Sequence, residues 1–142
     1  MLTVADIMTS NPITVERQTP LAEVIGLMKG RACRQIPVVD KGRVIGIITD
    51  RDVRLAMNSP FVLHERRQDQ ELLHSVTAEA CMTRDPMTIE ASASAEQAAQ
   101  LLRTYKFGGL PVVSEGRLVG IITVSDILGN YLELLKEKTA QP

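Results

Sequence analysis

The sequence is poor in aromatic residues and carries no excess of charge of either sign. Aromatic residues make up 3% of the 142 residues and none is tryptophan, which argues against a surface that stacks the bases of single-stranded nucleic acid. Lysine and arginine number 16 against 17 aspartate and glutamate residues, a formal charge of −1. The basic patch that attracts a phosphate backbone is therefore not indicated, and we expect no nucleic-acid partner.

Cysteines and long apolar runs are also scarce. Cys33 and Cys81 form neither a CxxC pair nor a metal-ligand spacing, so we expect free thiols and no metal site. No apolar run approaches the roughly 20 residues of a membrane span, and the first residues lack the basic and apolar regions of a signal peptide. These absences predict a cytoplasmic location without membrane insertion.

What the sequence does contain is an internal repeat with a spacing of 74 residues. Residues 8–54 align with residues 82–128 without a gap and are identical at 16 of 47 positions. The identities recur in the same order in both copies: Met-Thr at 8 and 82, Pro-Val-Val at 37 and 111, Gly-Ile-Ile-Thr at 46 and 120, and Asp at 52 and 126. We infer two copies of one folding unit.

The first copy predicts the order β-α-β-β-α. Thr19 is interpreted as an N-cap with Pro20 at the first helical position and Gly30 as the stop of that helix. The predicted elements are a strand at 12–15, this helix, strands at 36–39 and 44–48 joined by a hairpin turn at 40–43, and a helix from Thr49 to about Met57. The apolar third strand, which does not alternate, predicts burial on both faces.

The second copy follows the same plan. Its first helix is predicted to begin near Ser92 or Ser94, and its last to run from Ser125 to about Lys136 with an apolar stripe. The fold class is α/β (α+β), with repeats at residues 1–57 and 77–136, a connecting segment at 58–76 and a tail at 137–142. A surface helix is predicted at 61–76, anchored by Phe61, Leu72 and Leu73. Since about 55 residues bury little surface, we expect the two copies to share one core.

Each copy ends in the motif Thr-x-x-Asp directly after a buried strand. One interpretation is structural: a threonine N-cap with an acidic residue three positions later is a variant of the capping box. The other is functional, because free N–H groups at a helix start bind phosphate and a carboxylate can accept hydrogen bonds from ribose hydroxyls. The two interpretations are compatible, since the cap would position the site.

The ordered set of motifs, occurring twice, resembles the CBS domain, named after cystathionine beta-synthase. The resemblance covers residues 3–57 and 77–136, and two such domains form a Bateman module. It implies two β-α-β-β-α units packed about a pseudo-twofold axis. It also implies clefts that bind AMP, ADP, ATP or S-adenosylmethionine, regulation of another protein, and a homodimer formed through helices.

The resemblance also implies specific binding residues. Asp52 and Asp126 would accept the ribose hydroxyls, and Thr49 and Thr123 would lie near phosphate. One site would join Thr123 and Asp126 with Ile13, Thr14, Cys33, Arg34 and Gln35; the other would join Thr49 and Asp52 with Met87, Thr88, Phe107, Gly108 and Gly109. Backbone groups around Thr14 and Thr88 would contact the adenine edge, with Ile13, Ile36, Met87 and Leu110 along its faces.

The two sites are expected to differ in affinity. Arg34 has a guanidinium group that suits phosphate oxygens, although a solvated surface arginine is the alternative. The second copy has Gly108 and Gly109 at the matching place, which removes a cation and allows close backbone approach. Arg51 is a candidate replacement for that charge.

We therefore expect a stand-alone regulatory module that binds an adenine nucleotide and signals to an unidentified regulated protein. The stripe from Ile127 to Leu135 and the helix near Leu55 are the expected faces of a homodimer. No nucleophile occurs with a supporting base, so catalysis is not expected. The alternative function is a structural or protein-interaction CBS module without nucleotide binding.

Overall fold

The structure, a computed structural model, describes residues 1–57, 71 and 73–140. Most of the predicted surface helix at 61–76, with its anchors Phe61 and Leu72, lies outside these residues. Leu73 is described and packs against a buried cluster. The chain forms two compact units, which we call the first unit (Ile13–Pro86) and the second unit (Met1–Pro12 together with Met87–Pro142).

The chain begins in the second unit with helix α1 (Val4–Ile7) and strand β1 (Thr9–Ser10). The first unit follows, and its three-stranded sheet has the order β2-β3-β4 with antiparallel neighbours. Its elements are α2 (Leu21–Arg31), β2 (Gln35–Asp40), β3 (Arg43–Thr49), α3 (Asp50–Met57), α4 (Ala78–Cys81) and β4 (Thr83–Arg84).

The second unit is completed by the second repeat, and its sheet has the order β1-β7-β6-β5. Only the pair β5 and β6 is parallel. Its further elements are β5 (Ile89–Glu90), α5 (Ala95–Tyr105), β6 (Gly109–Ser114), β7 (Arg117–Thr123) and α6 (Val124–Ala140). The predicted mixture of helix and strand is confirmed, and the second repeat follows the order β-α-β-β-α. Among the described residues, no helix is both long and apolar enough to pass through a membrane.

Both predicted hairpin turns are present. Lys41 and Gly42 have φ angles of 52° and 81°, and Glu115 and Gly116 have 52° and 78°. Two successive residues with positive φ form the type I′ turn, whose twist matches that of the flanking strands. The strands that follow bury Gly46–Ile48 and Gly120–Ile122, whereas Val44 and Ile45 are half-buried, so the predicted burial holds only for the second part of the strand.

Three local predictions were wrong in detail. The strand at 12–15 is reduced to Val15, which forms a single parallel bridge with Val38; Pro12 has no N–H to extend it. Helix α2 begins after Pro20, because the Thr19 hydroxyl instead accepts the Glu16 N–H at 3.0 Å. That helix passes through Gly30 and ends at Arg31, and the C-cap residue Ala32 has a left-handed φ of 50°.

The last two helices adjust the predictions further. Ser94 is the N-cap of α5, where its hydroxyl accepts the Gln97 N–H at 3.0 Å, so of the two candidates Ser94 is confirmed over Ser92. Helix α6 extends through Ala140, four residues beyond the predicted end at Lys136. It therefore includes described residues of the segment that was interpreted as a tail.

The buried side chains form two clusters, one in each unit. Val4 and Ala78 each lie in a short helix that precedes a repeat's first strand and are completely buried. Each closes the core of its unit beside buried aliphatic side chains, whose burial contributes about 1.5–3 kcal/mol apiece. The first cluster is Val15, Leu21, Val24, Ile36, Val38, Ile48 and Ala78; the second is Val4, Ile89, Ala98, Leu102, Leu110, Val112 and Ile122.

The compact units do not coincide with the sequence repeats, because the segments before the first strands are exchanged. The N–H of Val4 donates to the Ala93 carbonyl at 2.8 Å, and β1 pairs with β7 of the second repeat. Reciprocally, the N–H of Ala78 donates to the Thr19 carbonyl at 2.8 Å, and β4 pairs with β3 of the first repeat. Each unit therefore contains residues of both repeats.

A methionine-glycine contact joins each exchanged segment to its sheet. A Cβ built on Gly46 would overlap the Met82 side chain, and one on Gly120 would lie 2.5 Å from the Met8 Sδ and 2.9 Å from the Thr9 carbonyl oxygen. The missing side chains let β4 and β1 approach closely. This contact gives the glycine of each Gly-Ile-Ile-Thr motif a packing role.

We predict that Gly120→Ala destabilises the protein by about 1–3 kcal/mol, the usual cost of overpacking. Gly46→Ala should cost less, because only the flexible Met82 side chain must move, whereas a methyl group on residue 120 also meets backbone. Urea unfolding of both variants measures the difference.

Gly26→Ala is the matched control, because a Cβ at this helical position meets no atom within 4 Å. This change should stabilise the protein by about 0.4–1 kcal/mol through the unfolded state. Equal effects of all three substitutions would contradict the packing role of Gly46 and Gly120.

Candidate functional site

The carboxylate of Asp52 caps the helix that follows β3. The Thr49 N–H donates to Oδ2 of Asp52 at 2.9 Å, and the Asp52 N–H donates to Oγ1 of Thr49 at 3.1 Å. The Thr49 hydroxyl also donates to Asp52 Oδ2 at 3.1 Å. The two residues thus satisfy each other's backbone donors, and the structural interpretation of the motif is confirmed.

The second motif repeats this geometry. The Thr123 N–H donates to Oδ2 of Asp126 at 2.9 Å, and the Asp126 N–H donates to Oγ1 of Thr123 at 3.1 Å. A third Thr-x-x-Asp sequence, outside the repeated motif, behaves in the same way: the Thr3 N–H donates to Asp6 at 2.8 Å. The cap alone therefore does not distinguish a binding site from a helix start.

Two threonines for which the sequence predicted no role give Asp126 and Asp52 a second set of donors. The Thr9 hydroxyl donates to Asp126, 3.1 Å from Oδ1 and 3.4 Å from Oδ2. The Thr83 hydroxyl lies 3.3 and 3.4 Å from the two oxygens of Asp52. The hydroxyl of each threonine is thus within hydrogen-bond distance of the aspartate of the other repeat. Their signal in the sequence was the repeated Met-Thr pair, which has no obvious local function.

The segment before each Pro-Val strand lies beside the helix start of its own unit. The Arg34 carbonyl accepts the Asp50 N–H at 3.0 Å, and the Gly108 carbonyl accepts the Val124 N–H at 3.0 Å. Within these units, residues 33–35 thus adjoin the helix of Asp52, and residues 107–109 adjoin the helix of Asp126. The first unit also contains Ile13, Thr14, Ile36 and Arg51; the second contains Met87, Thr88 and Leu110.

The proposed phosphate contacts are accessible. Arg34 and Arg51 are exposed, and among the described residues neither forms an ion pair.

Phe107, which occupies the position of Cys33 in the second repeat, is 39% exposed and stacks on Tyr105 with ring centroids 5.6 Å apart. The second unit thus presents an aromatic face where the first presents a thiol and a cation.

The apolar candidates divide into buried and accessible side chains. Ile36 and Leu110 are 0% and 1% exposed and belong to the two cores. Ile13 and Met87 are half-buried at the edges of those cores, and Thr14 and Thr88 beside them are exposed. Ile13 and Met87 are therefore the apolar side chains left with surface for a ligand.

Cys33 is a half-buried thiol next to Arg34. Its Sγ lies 3.8 Å from the Leu27 carbonyl oxygen, and burial raises the pKa of the thiol above its ordinary value. Burial likewise raises the pKa of Cys81, helped by the negative charge of Asp52. Both groups are thus held as thiols at neutral pH. No cluster of three or more potential metal ligands occurs among the described residues.

The model of the CBS domain matches residues 4–59 and 78–133, more than half of the chain. The chain belongs to the CBS-domain family. Its tandem CBS pair is 37% identical to a CBS domain-containing protein of Dictyostelium discoideum, over 94% of this chain and 93% of that protein.

Solved CBS pairs share the fold and have been seen with ligands. CBSX2 of Arabidopsis thaliana, in complex with AMP, has a TM-score of 0.78 and 28% identity, and the match covers 94% of this chain and 98% of CBSX2. The CBS pair of MJ0100, in complex with 5-methylthioadenosine and S-adenosyl-L-methionine, has a TM-score of 0.75 and 28% identity. That match covers 92% of this chain and 96% of the other.

We predict that iodoacetamide alkylates Cys33 and Cys81 several-fold more slowly at pH 7.5 than an unhindered thiol, because the thiolate is the reacting form. The rate should continue to rise with pH beyond the ordinary cysteine pKa, because burial raises both values.

Cys81→Ser and Cys33→Ser isolate the two thiols for this measurement, and the same protein unfolded in urea gives the reference rate. Alkylation as fast in the folded as in the unfolded protein would contradict the shielding of these thiols.

Proposed function

We propose that this CBS pair is a regulatory module that binds an adenine nucleotide and signals its presence to another protein. The observation that carries the proposal is the pair of half-buried carboxylates, Asp52 and Asp126, each oriented by donors from two chain segments. A helix cap needs only the backbone N–H of the preceding threonine as donor, as the hydrogen bond from Thr3 to Asp6 illustrates. The second set holds the carboxylate in one orientation, which suits recognition of a ligand.

The ribose is the part of the ligand that these carboxylates would bind. A carboxylate has about four acceptor positions, and the donors described for Asp126 leave some of them free. Two adjacent hydroxyls of a ribose can then donate to one carboxylate. Hydrogen bonds to a charged group are the stronger ones, so this contact supplies both affinity and selectivity for a nucleoside.

The phosphate would be bound by the exposed guanidinium groups and by helix starts. Arg34 and Arg51 offer planar, paired donors that fit phosphate oxygens, and the N-terminus of α3 adds a favourable dipole. In the second repeat, Gly108 and Gly109 stand at the positions of Arg34 and Gln35, so this cation is missing from that repeat. We therefore propose that the two aspartates serve sites of unequal affinity.

The relatives support an adenosine compound as the ligand class. CBSX2 binds AMP, whereas the MJ0100 pair binds 5-methylthioadenosine and S-adenosylmethionine, which contain no phosphate. All of these ligands contain adenosine. In the proposal, Asp52 and Asp126 bind the ribose of that common adenosine. Thr14 and Thr88 would contact the adenine edge, and Ile13 and Met87 its faces. No catalytic step is part of this proposal.

The first test measures ligand binding directly. AMP, ADP, ATP and S-adenosylmethionine are added to the protein, and at least one of them should stabilise the fold by about 2.7 kcal/mol at 100 times its dissociation constant. Thermal denaturation and calorimetry give the stabilisation and the affinity. If none binds at millimolar concentration, the structural or interaction module becomes the better explanation.

The second test separates binding from capping. Asp52→Asn and Asp126→Asn keep an oxygen for the helix cap but lose the charge, so each should weaken one site about 10- to 100-fold. Asp6→Asn is the matched control, because it alters the same type of cap outside the proposed sites. If all three variants bind AMP equally well, the carboxylates have only a structural role.

We also propose a homodimer formed through exposed apolar helix faces. Leu128, Tyr131 and Leu132 on α6 are 55–56% exposed, and Leu55 on α3 is 62% exposed. Such exposed apolar surface is unusual unless a partner covers it. The stripe from Ile127 to Leu135 is the main candidate for the contact.

Leu132→Asp should convert the dimer to a monomer, because a charge in an apolar interface has no partner there. Light scattering after size-exclusion chromatography measures the mass, and Lys138→Asp on the same helix is the control. A dimer that persists in Leu132→Asp would place the contact elsewhere.

A further inference from the structure

We propose that Thr9 and Thr83 are positioning residues for ligand recognition: each orients the ribose-binding carboxylate of the repeat to which it does not belong. This inference rests on the proposed function. Thr9 acts on Asp126, and Thr83 acts on Asp52.

The geometry at Asp126 shows how a hydroxyl can set the orientation of a carboxylate. The Thr123 N–H holds Oδ2 at 2.9 Å, while the Thr9 hydroxyl lies closer to Oδ1, at 3.1 Å. One donor per oxygen fixes the plane of the carboxylate, whose terminal torsion is otherwise broad. A carboxylate that is already oriented loses less conformational freedom when a ribose binds.

Thr9 is itself held in a defined position. It lies in β1, where it pairs with Ile121 of β7. The carbonyl oxygen of Thr9 would be 2.9 Å from a Cβ on Gly120, so the strands are in close contact here. The hydroxyl therefore belongs to a segment fixed by backbone pairing and by the preceding Met8.

The two aspartates differ in how much they depend on the exchanged threonine. Asp52 receives the Thr49 hydroxyl at 3.1 Å in addition to the Thr49 N–H. The Thr83 hydroxyl is farther away, at 3.3 and 3.4 Å. The Thr49 hydroxyl binds the same oxygen as the Thr49 N–H, so it does not replace Thr83 at Oδ1, but the longer contact of Thr83 indicates a weaker hydrogen bond. Loss of the Thr9 hydroxyl should consequently have a larger effect than loss of the Thr83 hydroxyl.

The experiment compares AMP with 2′,3′-dideoxy-AMP, which lacks both ribose hydroxyls. Calorimetry gives the ratio of the two dissociation constants, which measures how much the hydroxyls contribute. Asp52→Asn serves as the background for testing Thr9, and Asp126→Asn as the background for testing Thr83, so that one site is observed at a time. Thr9→Val should reduce this preference for AMP about 2- to 10-fold, the range for one hydrogen bond.

Two further variants and a control complete the design. Thr9→Ser keeps the hydroxyl and should preserve the ratio within twofold, and Thr83→Val should reduce it less than Thr9→Val does. Thr104→Val, an exposed position on α5, controls for the substitution itself. If valine disturbs β1, as a lower melting temperature without ligand would reveal, Thr9→Ala gives the same comparison.

The possible outcomes separate this inference from the proposed function. If the wild type binds neither AMP nor another adenosine compound, both are overturned. If it binds AMP but Thr9→Val leaves the ratio unchanged, or weakens both ligands equally, Thr9 has only a structural role and this inference alone fails. Tighter AMP binding by Thr9→Val would show that the hydroxyl competes with ribose, which also overturns it.

Discussion

The carboxylate of Asp126 joins three segments of the chain. It accepts the N–H of Thr123 at the end of a buried strand, it belongs to the first turn of the last helix, and it accepts the hydroxyl of Thr9 from the start of the chain. Asp52 does the same with Thr49 and Thr83. The helix starts, the exchanged segments and the proposed ligand contacts all depend on the orientation of these two side chains.

Packing makes this arrangement possible. Strands β1 and β4 each contain only two residues, too few for backbone pairing alone to hold them firmly. Met8 and Met82 add side-chain contacts against Gly120 and Gly46, where a side chain would keep the strands apart. The close approach of methionine to glycine therefore places the threonine that follows the methionine beside the aspartate. This explains why the Met-Thr pair and the Gly-Ile-Ile-Thr-x-x-Asp motif are repeated together.

Local features of this fold could be predicted because local physics determines them. The hairpin at Lys41 and Gly42 follows from the need for positive φ, and the caps at Thr49 and Thr123 follow from the spacing of hydroxyl and carboxylate. The exact ends of helix α2 could not be predicted. They depend on contacts with residues far along the chain, such as the Leu21 N–H that donates to the Val76 carbonyl at 2.8 Å.

The exchange of segments could not be predicted from the sequence for a reason of symmetry. The repeats are identical at the positions that matter, Met8-Thr9 and Met82-Thr83 on one side and the glycine and aspartate on the other. Thr9 could therefore meet Asp52 or Asp126 with the same local chemistry. For the same reason, the role of the two threonines could not be predicted. A repeat identifies equivalent residues, but it does not show which copy of the threonine contacts which copy of the aspartate.

The exchange has a consequence for how a bound ligand would be sensed. Each unit contains residues of both repeats. A change in the hydrogen bonds of Asp126 would therefore alter its contact with Thr9. Thr9 lies four residues before Ile13, where the first unit begins. Under the proposed function, ligand affinity and the order of this segment would be thermodynamically linked, and the linkage would act equally in both directions. A partner that binds or displaces the first 12 residues would then alter ligand affinity in the second unit. Strand β1 is held by its pairing with β7, by the Thr9 hydroxyl and by the Met8 contact, so a partner that displaces it must break all three.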